Sequence, residues 1–263
     1  MMDAGWLEID EDRFEAEAAR IGDWLVRDAV LIAGETRLRP VEIELYYFGA
    51  RHRDPFAHRD PEQLEPGRWY FHKTGGTYRG GSFKGLDLSL GRSGTWGGAL
   101  IRSVRGPEGD LVSGPSLVVD LLLRLTREAD IAPLAPKAGE LLRLEQSAPD
   151  PATVLRTARV GLTLKRFEAD KPAFLMRPYR FLNAPAEVKK GRVHTVIALH
   201  QGGLDAREIE RRTGSPTHAI ARYLDRYALG QERGAFEPFV DKALSPLDLA
   251  ELHGVWEARF GGS

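Results

Sequence analysis

Two carboxylates, an aromatic ring and an imidazole lie close together in the chain. In Val41–Tyr47 polar and apolar residues alternate, which predicts a β-strand with Glu42, Glu44 and Tyr46 on one face. An enzyme that activates water beside a flat substrate needs a carboxylate as base, an imidazole such as His58 nearby, and aromatic surfaces that hold the substrate. The same alternation is also typical of a sheet edge with a solvated polar face. Both interpretations stay open at this point.

Five short motifs follow one another in a fixed order around this strand. They are Glu42-Ile43-Glu44-Leu45-Tyr46, Ala57-His58, Pro66-Gly67-Arg68-Trp69-Tyr70-Phe71-His72, Gly98-Ala99-Leu100-Ile101-Arg102 and Ser113-Gly114-Pro115-Ser116. In their order and gaps they resemble the alkyladenine (3-methyladenine) DNA glycosylase family. The resemblance spans roughly residues 15 to 185, about two thirds of the chain.

The resemblance implies a fold, an activity and a set of site residues. The fold would be α+β, a mixed and strongly curved antiparallel β-sheet with flanking helices. The activity would be that of a monofunctional, metal-independent DNA glycosylase of base excision repair, which hydrolyses the N-glycosidic bond of alkylated purines. Glu44 would activate the attacking water and Arg102 would also hold it. Tyr46, His58 and His72 would line the base pocket, and no cofactor is implied.

The chain departs from the family pattern at two places. His72 lies where the family has a tyrosine that stacks on the extruded base, and imidazole offers less area and can become charged. The family's wedge aromatic should follow this strand, and we expect Tyr78, at the tip of a glycine-rich hairpin, to take its place. Flipping from a duplex requires the gap to be filled. An N-glycosidase acting on free modified nucleosides, nucleotides or RNA is therefore an alternative.

The glycine-rich segment 73–84 admits two compatible interpretations. Its backbone amides, with Lys73, Tyr78, Arg79 and Lys84, predict contacts with nucleic-acid phosphates. Glycine pairs are equally typical of a β-hairpin whose turn needs positive φ. Asp87 follows on a predicted strand, where it could orient a ligand or simply face solvent.

Composition excludes several kinds of chemistry. The 263 residues include no cysteine, which excludes disulfides, thiolate catalysis and sulfur-ligated metals. The seven histidines show no metal-binding spacing, so we expect no metal. Nothing resembles a signal peptide or a membrane span, and we expect a cytoplasmic monomer that does not bind membranes.

The distribution of charge is more informative than its sum. The net charge of −1 is poor evidence for nucleic-acid binding, but residues 51–105 carry ten basic and five acidic residues, a sum of +5. This region coincides with the candidate site and would direct an anionic partner to it, either DNA, including single-stranded DNA, or a modified nucleotide. A solvated surface with the same charges is the plain alternative.

A composition change near residues 183–186 predicts a domain boundary, with a catalytic domain at 1–185 and a helical domain at 186–263. Helices are predicted in both parts, at Asp10–Val26, Ser116–Arg127, Ala152–Ala158, Arg192–Leu199, Ala206–Thr213, Thr217–Leu229 and Leu244–Phe260. The last of these would pack on the body of the protein.

The segment 206–224 resembles a helix-turn-helix, with Gly214 at the turn and Ile209 and Ile220 in its core. Its second helix would offer Thr217, His218 and Arg222 to a DNA groove or to phosphates. Three-helix units of this kind also serve as protein contacts. A third hypothesis is therefore a non-catalytic nucleic-acid-binding or regulatory protein.

Overall fold

The computed structural model describes residues 4–165 and 167–261, which form two compact units. The first unit comprises the chain up to Val154 together with Phe181–Ala184. The second comprises Leu155–Arg180 and the chain from Pro185 onward. The last change from the first unit to the second lies at Pro185, next to the boundary predicted between residues 185 and 186. The segment Leu155–Arg180 belongs to the second unit, whereas the sequence placed it in the predicted catalytic domain.

Packing explains why Leu155–Arg180 belongs with the C-terminal helices. Leu155 packs against the buried cluster that contains Val196 and Leu199. Further along the segment, the indole of Trp256 donates a hydrogen bond to the carbonyl oxygen of Ala173 at 3.4 Å. Local sequence does not show these long-range contacts. The composition change near residue 185 therefore predicted the last point at which the chain passes from one unit to the other, but not the earlier ones after Val154 and Arg180.

The elements alternate between strands and helices in the first unit and are mostly helical in the second. The strands are β1 (Ala29–Ala33), β2 (Thr36–Phe48), β3 (Trp69–Phe71), β4 (Lys73–Thr74), β5 (Thr77–Tyr78), β6 (Leu86–Ser89), β7 (Trp96–Arg105), β8 (Leu111–Ser113), β9 (Leu142–Gln146), β10 (Leu155–Thr157) and β11 (Arg180–Leu182). The α-helices are α1 (Phe14–Arg27), α2 (Pro115–Thr126), α3 (Ile131–Leu134), α4 (Ala138–Leu141), α5 (Lys171–Leu175), α6 (Arg192–Gln201), α7 (Ala206–Thr213), α8 (Thr217–Arg233) and α9 (Pro246–Phe260).

The first unit is α+β and contains a curled antiparallel sheet, as the sequence predicted at this level. The long strand β2 pairs with β1 through its first residues and with β7 through the remainder. The ladder continues from β7 to β6 and from β6 to β3, while β9 extends it beyond β1. Every one of these pairs is antiparallel.

One face of this sheet is apolar and packs against α1. Ile43 and Ile101 are opposed across β2 and β7, and both are fully buried. The ring of Phe14, at the start of α1, lies 5.3 Å from the ring of Tyr47 on the same strand. The predicted helix Asp10–Val26 is confirmed from Phe14 onward, where the apolar side of α1 follows the helical repeat and covers the sheet. Glu11–Arg13 form a separate 3₁₀ turn.

The ladder between β2 and β7 is interrupted at two positions. Pro40 pairs with Val104 and Glu42 with Ser103, which leaves Val41 as an extra residue of β2. The next pair is Ile43 with Ile101, which leaves Arg102 as an extra residue of β7. Such bulges re-aim side chains next to functional sites.

One predicted helix is wrong. The segment Ala152–Ala158 was expected to be helical after Asp150-Pro151, but it contains strand β10 instead. The carboxylate of Asp150 does accept a hydrogen bond from the backbone amide of Ala152, at 2.8 Å. This contact closes a local turn and does not cap a helix, because the next residues pair in extended form.

The helices of the second unit confirm the predicted C-terminal elements. α7 begins with a capping box between Asp205 and Glu208 and ends at Gly214, whose φ is +67°. Ile209 and Ile220 are fully buried in one cluster, as expected for a helix-turn-helix core. The C-terminal tail forms α9, with a capping box between Ser245 and Asp248.

Helices α8 and α9 approach each other closely at two glycines. A Cβ atom at Gly254 would lie 1.9 Å from the carbonyl oxygen of Tyr227, and one at Gly230 would lie 1.9 Å from that of Glu251. Only glycine permits this backbone approach. Among the described residues, no helix is long and apolar enough to cross a membrane.

Candidate active site

The second face of the sheet in the first unit is polar and buried. Glu44 on β2 is opposed to Leu100 on β7, and Leu100 is opposed to Asp87 on β6. Directly opposed residues project to the same face, so Glu44 and Asp87 share a face with one strand between them, about 10 Å apart at normal strand spacing. Glu44 is 0% and Asp87 2% exposed. The solvated-edge interpretation of this face is therefore wrong.

The predicted catalytic pair lies together on this face. The Arg102 guanidinium donates to Glu44 Oε2 at 3.3 Å and to Glu42 Oε1 at 3.1 Å. The hydroxyl of Tyr46 donates to Glu44 Oε2 at 2.8 Å, and Ser103 Oγ donates to Glu42 Oε2 at 2.6 Å. The structure thus brings Glu44, Arg102 and Tyr46 together, as the sequence predicted.

The β7 bulge produces this arrangement. Neighbouring residues of a regular strand point to opposite faces, yet Arg102 and the adjacent Ser103 both donate to Glu42. Burial alone would lower the pKa of Arg102, but Glu44 and Glu42 outweigh it and raise that pKa above its usual value. The guanidinium stays charged and holds both carboxylates at fixed positions.

A second polar cluster is formed by residues of β3 and β6, by His72 directly after β3, and by the segment before β3. His72 Nε2 lies 2.7 Å from Asp87 Oδ1, and Gln63 Nε2 donates to Asp87 Oδ2 at 3.1 Å. The rings of His58 and His72 are 4.3 Å apart, in an edge-to-face arrangement. The hydroxyl of Tyr70 lies 3.5 Å from His58 Nδ1. The two predicted pocket histidines are therefore in contact.

His58 is uncharged near neutral pH. Its burial, and next the nearby His72, lower the pKa of His58 to about 4. The negative charge of Asp87 raises the pKa of His58, but by less than burial and His72 lower it. A neutral imidazole both donates and accepts a hydrogen bond, through its two ring nitrogens.

Two glycines make room for the contact between His72 and Asp87. A Cβ at Gly85 would lie 2.5 Å from His72 Nδ1, and a Cβ at Gly98 would lie 2.5 Å from Asp87 Oδ2. Any larger residue at either position would displace a member of the pair. These glycines therefore position the cluster as directly as its hydrogen bonds do.

The glycine-rich segment forms the predicted hairpin, but Tyr78 is not at its tip. Gly75 and Gly76 make the turn between β4 and β5, with φ of +57° and +79°. Tyr78 lies on β5, opposite Lys73, whose ammonium is 4.9 Å from the tyrosine ring. Two consecutive residues with positive φ favour glycine, so the turn is centred on the Gly-Gly pair.

The predicted phosphate-binding cations have protein partners on the same unit. Lys73 Nζ lies 2.8 Å from Glu62 Oε2, and Lys84 pairs with Asp120. Arg79 Nε donates to Thr74 Oγ1 at 2.9 Å. A phosphate would have to compete with these partners, and nucleic-acid contact by these residues stays a prediction.

Phe83 is a residue that sequence reasoning missed. Beside the hairpin is an open cavity of about 430 Å³, lined by Thr74, Thr77, Tyr78, Arg79, Gly80 and Phe83. Phe83 is 75% exposed, the largest exposed fraction of a big apolar side chain among the described residues. A single phenylalanine gives no signal in the sequence, because its exposure depends on the short 3₁₀ helix Gly81–Phe83.

Gln63 and Glu210 were also missed as positioning residues. Gln63 lies 24 positions before Asp87 and is held by a capping box with Asp60. The carboxylate of Glu210, near the end of α7, accepts a hydrogen bond from the backbone amide of Thr217 at 3.3 Å, at the start of α8. Thr217, His218 and Arg222 are all exposed on α8.

The buried carboxylates and histidines define an α+β protein with a polar site on one face of its sheet. The chain is 30% identical over 208 residues to an uncharacterized protein of Acanthamoeba polyphaga mimivirus. The matched region covers 70% of this chain and 91% of the viral protein. The chain belongs to the same family as that viral protein. No protein-family model and no solved structure matches the chain. The viral protein's name states no activity.

Proposed function

We propose that the protein is a monofunctional N-glycosylase that releases alkylated purines from DNA, with Glu44 as the general base. The observation that carries the proposal is the buried carboxylate of Glu44, held by Arg102 and Tyr46 on the face that also carries Asp87. Burying a charged group costs free energy unless it is paired and hydrogen-bonded. A carboxylate held in this way has a fixed position, which a general base needs in order to reach its proton.

The proposed reaction needs one proton acceptor and one water. Glu44 takes a proton from water while the water oxygen forms a bond to the anomeric carbon of the nucleotide. The N-glycosidic bond breaks, and its electron pair leaves with the base. A purine alkylated on a ring nitrogen carries a positive charge and becomes neutral as it leaves. Arg102 and Tyr46 fix the Glu44 carboxylate during these steps.

The pocket histidines suit a cationic base. His58 is neutral, since burial lowers its pKa to about 4, so it does not repel a positively charged purine. Its ring packs edge-to-face with His72. In this proposal the two rings contact the base, and Arg79, next to the hairpin, contacts the sugar-phosphate chain.

One observation favours a second substrate class. The hairpin tip consists of Gly75 and Gly76, and Tyr78 packs edge-to-face on Phe71 at 6.5 Å between ring centres. A wedge that replaces a flipped nucleotide has to project from the protein. Phe83 projects and is the candidate wedge, but if it does not serve as one, single strands, RNA or free modified nucleotides are the substrates.

The test measures released bases by mass spectrometry. Wild-type protein and Glu44→Gln are incubated with alkylated duplex DNA, the same DNA as single strands, alkylated RNA, and a pool of modified nucleosides and nucleotides. We expect wild-type release and no release by Glu44→Gln, because the amide keeps the shape but cannot accept a proton. The matched control is Glu35→Gln, an exposed glutamate of the same unit, which should keep full activity.

The pattern of release decides among the hypotheses. Release from duplex supports the repair glycosylase, and loss of that release in Phe83→Ala would support the wedge. Release only from single strands, RNA or nucleotides supports the second class. Full activity of Glu44→Gln would refute the assigned base. Salt-sensitive DNA binding without any release would instead support a non-catalytic binder.

A further inference from the structure

We infer that His58, His72 and Asp87 form a binding site for a divalent transition-metal ion, with Zn²⁺ as the best fit. Each residue offers one ligand atom, and the three atoms all lie within 4.8 Å of one another. This cluster is not visible in the sequence, because the three residues are 14 and 15 positions apart and match no metal motif. Pairing of β3 with β6 brings His72 and Asp87 together.

The distances are close to those of a bound ion. Nitrogen and oxygen ligands lie about 2.0–2.2 Å from Zn²⁺, so the ligand atoms of a tetrahedral site stand about 3.4 Å apart. His72 Nε2 and Asp87 Oδ1 are now 2.7 Å apart. An ion entering between them would open this contact by less than about 1 Å. The ligand atom of His58, which lies within 4.8 Å of the other two, would move inward by up to about 1.4 Å.

The donor set selects the class of ion. Two imidazoles and one carboxylate are typical of Zn²⁺ and of non-haem Fe²⁺, whereas Mg²⁺ and Ca²⁺ prefer oxygen ligands alone. Cysteine is absent from the chain, so thiolate ligands do not compete. Three protein ligands leave at least one coordination position open to water or a substrate.

The surroundings of the three ligands resemble the outer shell of a metal site. Gln63 donates to Asp87 Oδ2, which fixes the carboxylate with Oδ1 directed at His72. The Tyr70 hydroxyl contacts His58 Nδ1. Outer partners of this kind orient metal ligands and raise affinity. Gly85 and Gly98 keep side chains out of the space beside His72 and Asp87.

This inference does not depend on the proposed glycosylase activity and departs from the expectation of a metal-independent protein. It also competes with the base contact proposed for His58 and His72, because an ion ligated by these rings would place positive charge where a cationic purine would lie. The ion would lie on the same sheet face as Glu44, with β7 between them. The site is therefore tested by binding alone, using Glu44→Gln as a variant that should retain the ion.

The experiment titrates Zn²⁺ into the chelator-stripped, full-length protein, without an affinity tag, in a calorimeter. We expect one ion per chain. His72→Ala and Asp87→Asn should weaken binding by about 100-fold or more, while His218→Gln, which removes an exposed histidine of α8, should not. Co²⁺ added to the stripped protein should give visible absorption bands that His72→Ala abolishes.

Two results would overturn the site: no Zn²⁺ binding by the wild type, or equal affinity in the wild type and Asp87→Asn. Circular dichroism establishes that each variant is folded. If His72→Ala does not fold, His58→Gln takes its place, because His58 is only partly buried and glutamine preserves polarity. Loss of base release in Glu44→Gln with unchanged Zn²⁺ affinity would separate the two proposals.

Discussion

Arg102 reaches across the β2–β7 ladder to Glu44, with 3.3 Å between guanidinium and carboxylate, and both side chains are buried. The Arg102 guanidinium therefore contributes to the stability of the fold as well as to the candidate site. Replacing one partner of a buried ion pair leaves an uncompensated charge, which is far more costly than the pair itself is stabilising.

Arg102→Met should therefore lower the free energy of unfolding by about 3–5 kcal/mol. Urea unfolding followed by tryptophan fluorescence measures the change. The control is Arg37→Met, which removes an exposed, solvent-screened ion pair with Glu145 and should change the free energy of unfolding far less. Similar losses in the two variants would show that the buried pair has no special energetic role.

Gly98→Ala should disturb the His72–Asp87 contact. The added Cβ would lie 2.8 Å from the Cβ of Asp87, which a flexible side-chain end cannot relieve. We expect a loss of about 1–3 kcal/mol and a shifted imidazole signal of His72 in NMR spectra. Gly139→Ala, where nothing lies within 4 Å of the new Cβ, is the control and should leave that signal unchanged.

His58 should make the protein less stable in mild acid. The folded state holds the neutral imidazole with a pKa of about 4, whereas the unfolded chain has a pKa of about 6.5. Below pH 6.5 the unfolded state therefore binds more protons than the folded state. The contribution of neutral His58 to the free energy of unfolding is complete above pH 6.5 and is lost as the pH falls toward 4.

The measurement compares unfolding free energies of wild type and His58→Gln between pH 7 and 4. We expect the wild type to lose on the order of 2 kcal/mol more than the variant, after allowance for the partial exposure of His58. His218→Gln should follow the wild type. Parallel pH profiles of wild type and His58→Gln would contradict the lowered pKa.

Gly254→Ala should destabilise the second unit. The new Cβ would meet the Tyr227 carbonyl oxygen at 1.9 Å, so α8 and α9 would have to separate. We expect a loss of about 3 kcal/mol or more, seen as an earlier unfolding transition in circular dichroism. Ala228→Gly, at an exposed position of α8, should cost only about 1 kcal/mol.

Arg222→Ala should weaken DNA binding if α8 contacts phosphates. Loss of one phosphate contact should lower the slope of log affinity against log salt by about 1. Fluorescence anisotropy with labelled duplex at several salt concentrations measures this slope. Arg37→Ala, in the first unit, is the control, and an unchanged slope in Arg222→Ala would exclude that contact.

Sequence reasoning found the elements whose signals are local. The alternation around Glu44 predicted β2, and the repeat around Ile209 and Ile220, with Gly214 between them, predicted two helices and their turn. What it missed depends on pairing between distant segments. Asp87 was placed on a strand, but its contact with His72 and Gln63 exists only because the strands and the loop meet in space.

The position of Tyr78 was also predicted incorrectly, although the residues involved are close together in the sequence. The glycines predicted a hairpin, but with two Gly-Gly pairs the sequence did not show which pair makes the turn. The structure uses Gly75-Gly76, which places Tyr78 beside Lys73 on the arms. In the second pair, Gly80 caps and Gly81 begins the 3₁₀ helix Gly81–Phe83, which exposes Phe83.

The two interruptions of the β2–β7 ladder cancel each other. The register is the same on both sides of the interruption, from Arg39–Pro40 with Val104–Arg105 and from Ile43 with Ile101 onward, so only the pair of Glu42 and Ser103 is offset. Deleting Val41 and Arg102 together would leave an unbroken ladder with every other pair intact. A relative lacking both residues could keep the sheet while losing the guanidinium, whereas the loss of only one would shift half of the ladder and turn its side chains to the wrong face.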